Sequence, residues 1–122
     1  MTTDEKPQIR KVWLPTEMKE AVAEFCWKNR TKPSPFIVEL IQGYLDDPAK
    51  YAGQPIPPAG KDYSSVYIRD SIWSAAVEQA AQSGVRLSAV VRVAIAARLA
   101  EEGIPWDVTT ARPKNEHIPI RE

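Results

Sequence analysis

Polar and apolar side chains alternate along Arg10-Lys11-Val12-Trp13-Leu14, apart from Trp13, which predicts a short half-buried strand. Pro15 ends it, because proline has no N–H to continue a ladder and its fixed φ suits a first helical turn. From Pro15 or Thr16 to about Asn29 the period becomes helical. Met18, Val22, Phe25 and Cys26 share one stripe, and Lys19, Glu20, Glu24 and Lys28 lie outside it. Thr31-Lys32-Pro33 breaks this helix. Ser34 is then expected to cap a second one with Pro35 at its first position. Phe36, Ile37, Leu40, Ile41, Tyr44 and Leu45 recur at helical spacing, so this helix should bury one face.

The same order returns further along. Displacing the chain by 54 positions lays Val12 on Val66, Ala21 on Ala75, Glu24 on Glu78, Ser34 on Ser88, Ile41 on Ile95 and Leu45 on Leu99. Met18/Ile72, Cys26/Ala80, Phe36/Val90, Ile37/Val91 and Leu40/Ala94 fall in step as apolar pairs. Two unrelated amphipathic helix pairs would also align through their common period, but the in-step apolar positions favour a structural duplication. The second unit predicts a strand over Tyr63–Ile68, Asp70 as an N-cap, a helix from Ser71 to Gln82 stopped by Gly84, and a helix from Ala89 to Glu102 capped by Ser88. One strand and two helices cannot close a core, whereas two such units can if their strands pair and their helices interlock.

The expected organisation is therefore unit one over 8–46, a linker over 47–61, unit two over 62–102 and an extended or disordered tail over 103–122. The linker region holds four prolines and two glycines between Asp46 and Asp62, leaving no room for regular structure. Its extended reach of about 55 Å would let unit two fold back on unit one. The fold class is mainly α with a two-stranded antiparallel β-ribbon.

Length and composition narrow the class. At 122 residues, 43% hydrophobic and 26% charged, the chain matches one soluble globular domain or two very small ones. No apolar run approaches the length of a membrane span, and MTTDEKPQIRK has no signal-peptide core, so a cytoplasmic location without membrane association is expected. One cysteine, Cys26, and one histidine, His117, exclude an internal disulfide and a zinc site of the Cys/His kind. Zero net charge conceals basic bodies: residues 6–45 carry seven Lys/Arg against four Asp/Glu, and 61–99 carry five against three. No phosphate-binding glycine loop, HExxH or nucleophile elbow occurs, so an enzyme is not expected, nor a metal or cofactor. Cys26 reads as core. Trp27 and Trp73, at the margins of the first helices, are expected to pack on the linker.

Strand, helix and second helix, with Pro15 closing the first strand and Ser34 and Ser88 opening the last helices, resembles the ribbon-helix-helix superfamily. The resemblance rests on Val12, Leu14, Pro15, Met18, Val22, Ser34, Ile37, Leu40 and Ile41, then Val66, Ile68, Ile72, Ala76, Ser88, Val91, Ala94 and Ile95. Two units on one chain look like the tandem, TraY-like relaxosome accessory type, whose linked units form an intramolecular pseudo-dimer. The resemblance implies binding of double-stranded DNA, with the paired strands in the major groove. If Val12, Leu14, Val66 and Ile68 face the helices, then Ile9, Lys11, Trp13, Tyr63, Ser65 and Tyr67 face the bases, with Lys11 opposite Ser65, Trp13 near Tyr63 and Ile9 near Tyr67. The family's phosphate clamp at the start of the second helix would fall on Ser34 with Lys32 and on Ser88 with Arg86, more tightly at Ser88 because Pro33 and Pro35 remove two donors. Arg10 and Arg69 flank the strands and could also reach phosphates or stay solvated.

Base readout usually relies on Arg, Lys, Asn or Gln, and this face offers one lysine, one serine and aromatic rings. Two functions therefore stand at this stage. One is a DNA-binding relaxosome accessory factor or transcriptional repressor of plasmid type, capable of self-association on DNA, whose unequal half-ribbons predict imperfect or direct repeats in its site. The other is a protein-interaction module, an antitoxin or recruiter, that holds a toxin, relaxase or secretion component through the aromatic face or through Trp106 in the tail.

Overall fold

The computed structural model describes residues 6–104 and Ile118. The described residues form β1 (Pro7–Leu14), α1 (Thr16–Lys28), α2 (Pro33–Asp46), β2 (Asp62–Arg69), α3 (Asp70–Gln82) and α4 (Leu87–Glu101). The displacement of 54 survives in three dimensions: α3 covers the span of α1 moved by that number, and α4 starts where α2 so moved would start. The molecule is two strand-helix-helix units whose strands pair antiparallel in one two-stranded sheet.

The register runs from Pro7 opposite Arg69 to Leu14 opposite Asp62 and centres on Lys11 opposite Ser65. Alternation then buries Val12 and Leu14 of β1 and Ser64, Val66 and Ile68 of β2 against the helices. Crossing makes the fold a single body. Helix α2 of unit one packs on β2, and α4 of unit two packs on β1, so each unit covers the other's strand. Met18, Val22, Phe25 and Cys26 from α1 join Ile37, Ile41 and Tyr44 from α2 and Val90, Val91, Ile95 and Leu99 from α4 in one buried core. Each fully buried aliphatic side chain here contributes about 1.5–3 kcal/mol.

The strands are longer than their alternation suggested, and the helix starts differ. Ser34 and Ser88 do not cap their helices. Lys32 and Arg86 hold the N-cap positions, and neither makes a side-chain cap bond. Pro33 supplies a pre-set helical φ at the first position, and the Lys32 carbonyl accepts the Phe36 N–H at 3.2 Å, so α2 begins before its serine. Asp70 likewise lies inside the first turn of α3, with Arg69 at the N-cap.

The α1–α2 and α3–α4 corners share one C-terminal geometry. In the first, Thr31 N–H donates to the Cys26 carbonyl and Arg30 N–H to that of Trp27; in the second, Val85 N–H donates to Ala80 and Gly84 N–H to Ala81. This pairing needs a residue at positive φ. Gly84 supplies it at 79°, but unit one places Arg30 there at 54°. A side chain in that conformation costs about 1–2 kcal/mol.

The linker has turns and no helix, as its prolines require, yet it packs closely. Tyr51 and Ile56 are buried in the core, and the buried Arg92 donates Nε–H to the Pro57 carbonyl at 2.8 Å. Gly60, at φ 77°, touches the end of β1 so closely that a Cβ would lie 2.4 Å from the Leu14 carbonyl oxygen. From the tail, Ile118 is buried and exchanges two backbone hydrogen bonds with Gly53 and Gln54, of 2.7 and 2.8 Å. Trp106 and His117 lie outside the described residues. Among the described residues no helix is long and apolar enough to cross a membrane.

Candidate nucleic-acid interface

The face of the ribbon turned away from the helices carries Ile9, Lys11, Trp13, Tyr63, Ser65 and Tyr67, all six of the side chains that alternation assigns to it. Ile9 is 59% exposed, Tyr67 56%, Trp13 45% and Tyr63 36%, a large apolar area to leave in water. The pairs expected across the strands are present: Trp13 faces Tyr63 and Ile9 faces Tyr67. The Trp13 and Tyr63 rings meet edge to face, with centroids 5.3 Å apart.

Arg69 extends this face. Strand β2 continues one residue past the predicted strand end, so Arg69 shares the parity of Tyr67 and points outward, exposed, opposite Pro7. A guanidinium at this place restores a bidentate donor that the predicted face lacked. Continuing the alternation by one position would have found it. Arg10 behaves differently. It lies on the inner face, pairs with Asp70 and stacks 5.5 Å from the Trp73 ring, which makes it a cross-unit tie.

Cations gather around Tyr63. The Lys11 ammonium lies 4.7 Å from its ring centroid and the Lys19 ammonium 5.7 Å. Lys19, on α1, was not expected at the ribbon. It also pairs with Asp62 at 3.1 Å. The Tyr63 N–H and the Lys19 ammonium hold the Asp62 carboxyl below its ordinary range.

Both predicted clamp serines are half-buried in the first turns of α2 and α4. The Ser34 Oγ accepts the Tyr67 N–H at 2.8 Å, joining the start of α2 directly to the ribbon. A hydroxyl has one proton and two lone pairs, so Ser34 can still donate to a phosphate oxygen while holding Tyr67. Pro33 and Pro35 remove two backbone donors from this turn, whereas Leu87, Ser88 and Ala89 keep theirs, Ala89 using its own on the Arg86 carbonyl. Lys32 and Arg86 are exposed beside the two turns.

Trp27 does not pack on the linker. It is 83% exposed and, with Lys28, Arg30, Thr31 and Lys32, lines an open cleft of about 700 Å³ at the α1–α2 corner. Its place one residue past Cys26 puts it off the buried stripe, a signal available in the spacing. Trp73 is half-buried against the core. Cys26 is buried as expected, and burial pushes its thiol pKa up.

Fold and face together define a ribbon-helix-helix-like pseudo-dimer with an exposed, aromatic, cation-fringed β-ribbon. Comparison with family models, with curated proteins and with solved structures gave no match.

Proposed function

We propose that this chain is a non-enzymatic double-stranded DNA-binding protein that lays its β-ribbon in the major groove, as a plasmid relaxosome accessory factor or a transcriptional repressor. The observation that carries this is the ribbon itself: two strands from different units, registered about Lys11 and Ser65, present one exposed face with a first helical turn alongside. A two-stranded ribbon fits the width of the groove. Lys11 and Arg69 supply donors to base edges, and Trp13, Tyr63, Tyr67 and Ile9 supply apolar contact to thymine methyls. Ser34 with Lys32 and Ser88 with Arg86 hold phosphates to either side.

The local dyad through Lys11 and Ser65 exchanges Trp13 with Tyr67 and Ile9 with Tyr63, so the two half-ribbons read DNA unequally. The preferred site is an imperfect or direct repeat. Mobility shift against the chain's own upstream DNA or a transfer origin tests this. Lys11→Ala and Tyr67→Ala, each still folded, should abolish the shift. Binding retained in both would move the DNA surface elsewhere.

A second reading draws on the same aromatic side chains. Four exposed apolar residues in one small face also suit a protein partner, and the chain would then be an antitoxin or a recruiter of a relaxase or secretion component. Trp106→Ala in the full chain tests capture by the tail and leaves Ile118 in the core: DNA binding by the ribbon should survive it, and capture of a partner by the Trp106 segment should not.

A further inference from the structure

The two corners that flank the ribbon are built on one backbone plan and carry different chemistry. Moving unit one onto unit two lays Trp27, Lys28, Arg30, Thr31 and Lys32 on Ala81, Gln82, Gly84, Val85 and Arg86. Unit two's corner thus has one cation and no ring. Unit one's has three cations and an indole that is 83% exposed and makes no ring contact among the described residues. Lys28 is paired with Glu24 at 3.0 Å, but neither Arg30 nor Lys32 has a carboxylate within ion-pair distance among the described residues. Arg30 also occupies the left-handed position that its repeat gives to glycine. A long cationic side chain is kept there although the backbone favours Gly, and strain of this kind concentrates where a side chain has a task.

The corner is continuous with the reading face. Lys32 lies two residues before Ser34, whose hydroxyl holds the Tyr67 N–H, so the cleft opens beside the end of the ribbon that carries Tyr67, Ile9 and Arg69. We infer that the Trp27–Lys32 corner is a one-sided backbone contact for duplex DNA beyond the stretch covered by the ribbon. Arg30 pairs with a phosphate there, next to the one held by Ser34 and Lys32, and the Trp27 ring packs on the adjoining sugars. This rests on the DNA-binding reading and adds polarity to it: the protein covers more duplex on the unit-one side and is loaded in one direction on its site. Charge selects the occupant, since two cations with no carboxylate partner among the described residues, beside a flat exposed ring, match a polyanion with apolar sugar edges.

The test uses the full chain and an end-labelled duplex of about 40 base pairs carrying its upstream or origin site, with hydroxyl-radical footprinting and anisotropy titrations across a salt series. The variants are Trp27→Ala, on an exposed side chain, and Arg30→Gly, in which Gly supplies the residue the backbone prefers and so protects folding; Lys32 is kept because it serves the Ser34 clamp. Arg86→Ala in the other corner is the comparison. Wild type should give a lopsided footprint, and both corner variants should trim it on one side only. In Arg30→Gly the slope of log affinity against log salt should fall by about 0.9, the loss for one phosphate contact, with affinity down roughly tenfold at 0.1 M salt.

A footprint and salt slope unchanged in both corner variants, with tight wild-type binding, would overturn the inference and leave the ribbon reading standing. Absence of wild-type duplex binding would overturn both. If the variants lose affinity only for a single-stranded oligonucleotide of the same sequence, the corner stacks on bases and the duplex contact is wrong.

Discussion

Replacing Gly60 with alanine tests whether the linker presses the two units together, because this residue meets unit one at the strand end where the aromatic pair sits. Two penalties combine. Gly60 has φ 77°, where an alanine costs about 1–2 kcal/mol. The added Cβ would also stand 2.4 Å from the Leu14 carbonyl oxygen and from the Pro15 nitrogen and Cα. All three are backbone atoms, so no side chain can swing aside. Relief requires the linker and the β1–α1 junction to part by about 1 Å, given ordinary contacts of about 3.5 Å. Overpacking of this kind costs a further 1–3 kcal/mol or so. The sum, about 2–5 kcal/mol, is a large share of the roughly 5–15 kcal/mol that holds a domain together.

The displacement reaches the exposed ribbon face too. Asp62 pairs with Leu14 two residues after Gly60, and the neighbouring pair is Trp13 with Tyr63. Gly60→Ala should therefore loosen the aromatic end of the ribbon before the molecule unfolds. Urea unfolding followed by far-UV circular dichroism measures the first effect, and the chemical shifts of the Trp13 indole N–H measure the second. Gly103→Ala is the internal standard, since Gly103 has φ 70° but nothing within 4 Å of its would-be Cβ, so it carries the φ penalty alone. Equal costs at the two positions, or an unshifted Trp13 resonance in Gly60→Ala, would refute the close linker contact.

Arg30→Gly should raise stability by roughly 0.5–1 kcal/mol, the relief of positive-φ strain less the freedom glycine adds to the unfolded chain, read as a higher urea midpoint. Cys26 should resist iodoacetamide in the folded protein even at pH 9, because it is buried and burial raises its pKa above the ordinary 9.0; mass spectrometry should find it alkylated only after denaturant is added. Asp62 has a folded pKa below its ordinary 3.8 because the Tyr63 N–H, and after it the Lys19 ammonium, favour its charged form, so these contacts support folding above that value and the support is withdrawn as pH falls below it. The stability gap between wild type and Asp62→Asn, measured by urea unfolding at stepped pH, should be constant near neutrality and close in the acid range; a gap that widens in acid would contradict the sign.

Much of the ribbon was legible because two constraints act on it together. Alternation decides which side chains face the helices, and a repeat displaced by 54 makes an antiparallel pairing of the two strands symmetric about one centre. Which centre is a further choice: placed at Lys11 opposite Ser65, on the ribbon-helix-helix resemblance, it puts Trp13 beside Tyr63, and the strands pair in that register. What escaped the sequence lacked a local signal. Arg10 meets Asp70, 60 residues away, and Lys19 reaches a strand from the other unit. Tyr51 and Ile56 stand among prolines with no period to betray them, yet both are buried. The serine caps failed for a different reason: side-chain type favours Ser at an N-cap, but Pro33 has the φ of a first helical residue, and that geometry moved the start of α2 upstream.

The duplication explains how such a small chain can hold a ribbon at all, and its imperfections bear on the function proposed for the ribbon. Covering each strand with the other unit's second helix demands equivalence only on the buried side, where Val12 and Val66, Ile41 and Ile95, and Leu45 and Leu99 remain identical. The outer positions face no such demand. There the copies have parted: Trp13 against Tyr67, Ile9 against Tyr63, Lys11 against Ser65, Arg30 against Gly84 and Trp27 against Ala81. A homodimer of one unit would have to keep these positions equal, and so could read only a symmetric target. Joining the units through a linker whose Tyr51 and Ile56 are locked into the core frees each outer side chain to vary by itself while the register stays centred on Lys11 and Ser65. Outer ribbon positions that differ in chemistry, over buried strand positions that stay aliphatic in both copies, suit the proposed reading of a target with two different ends.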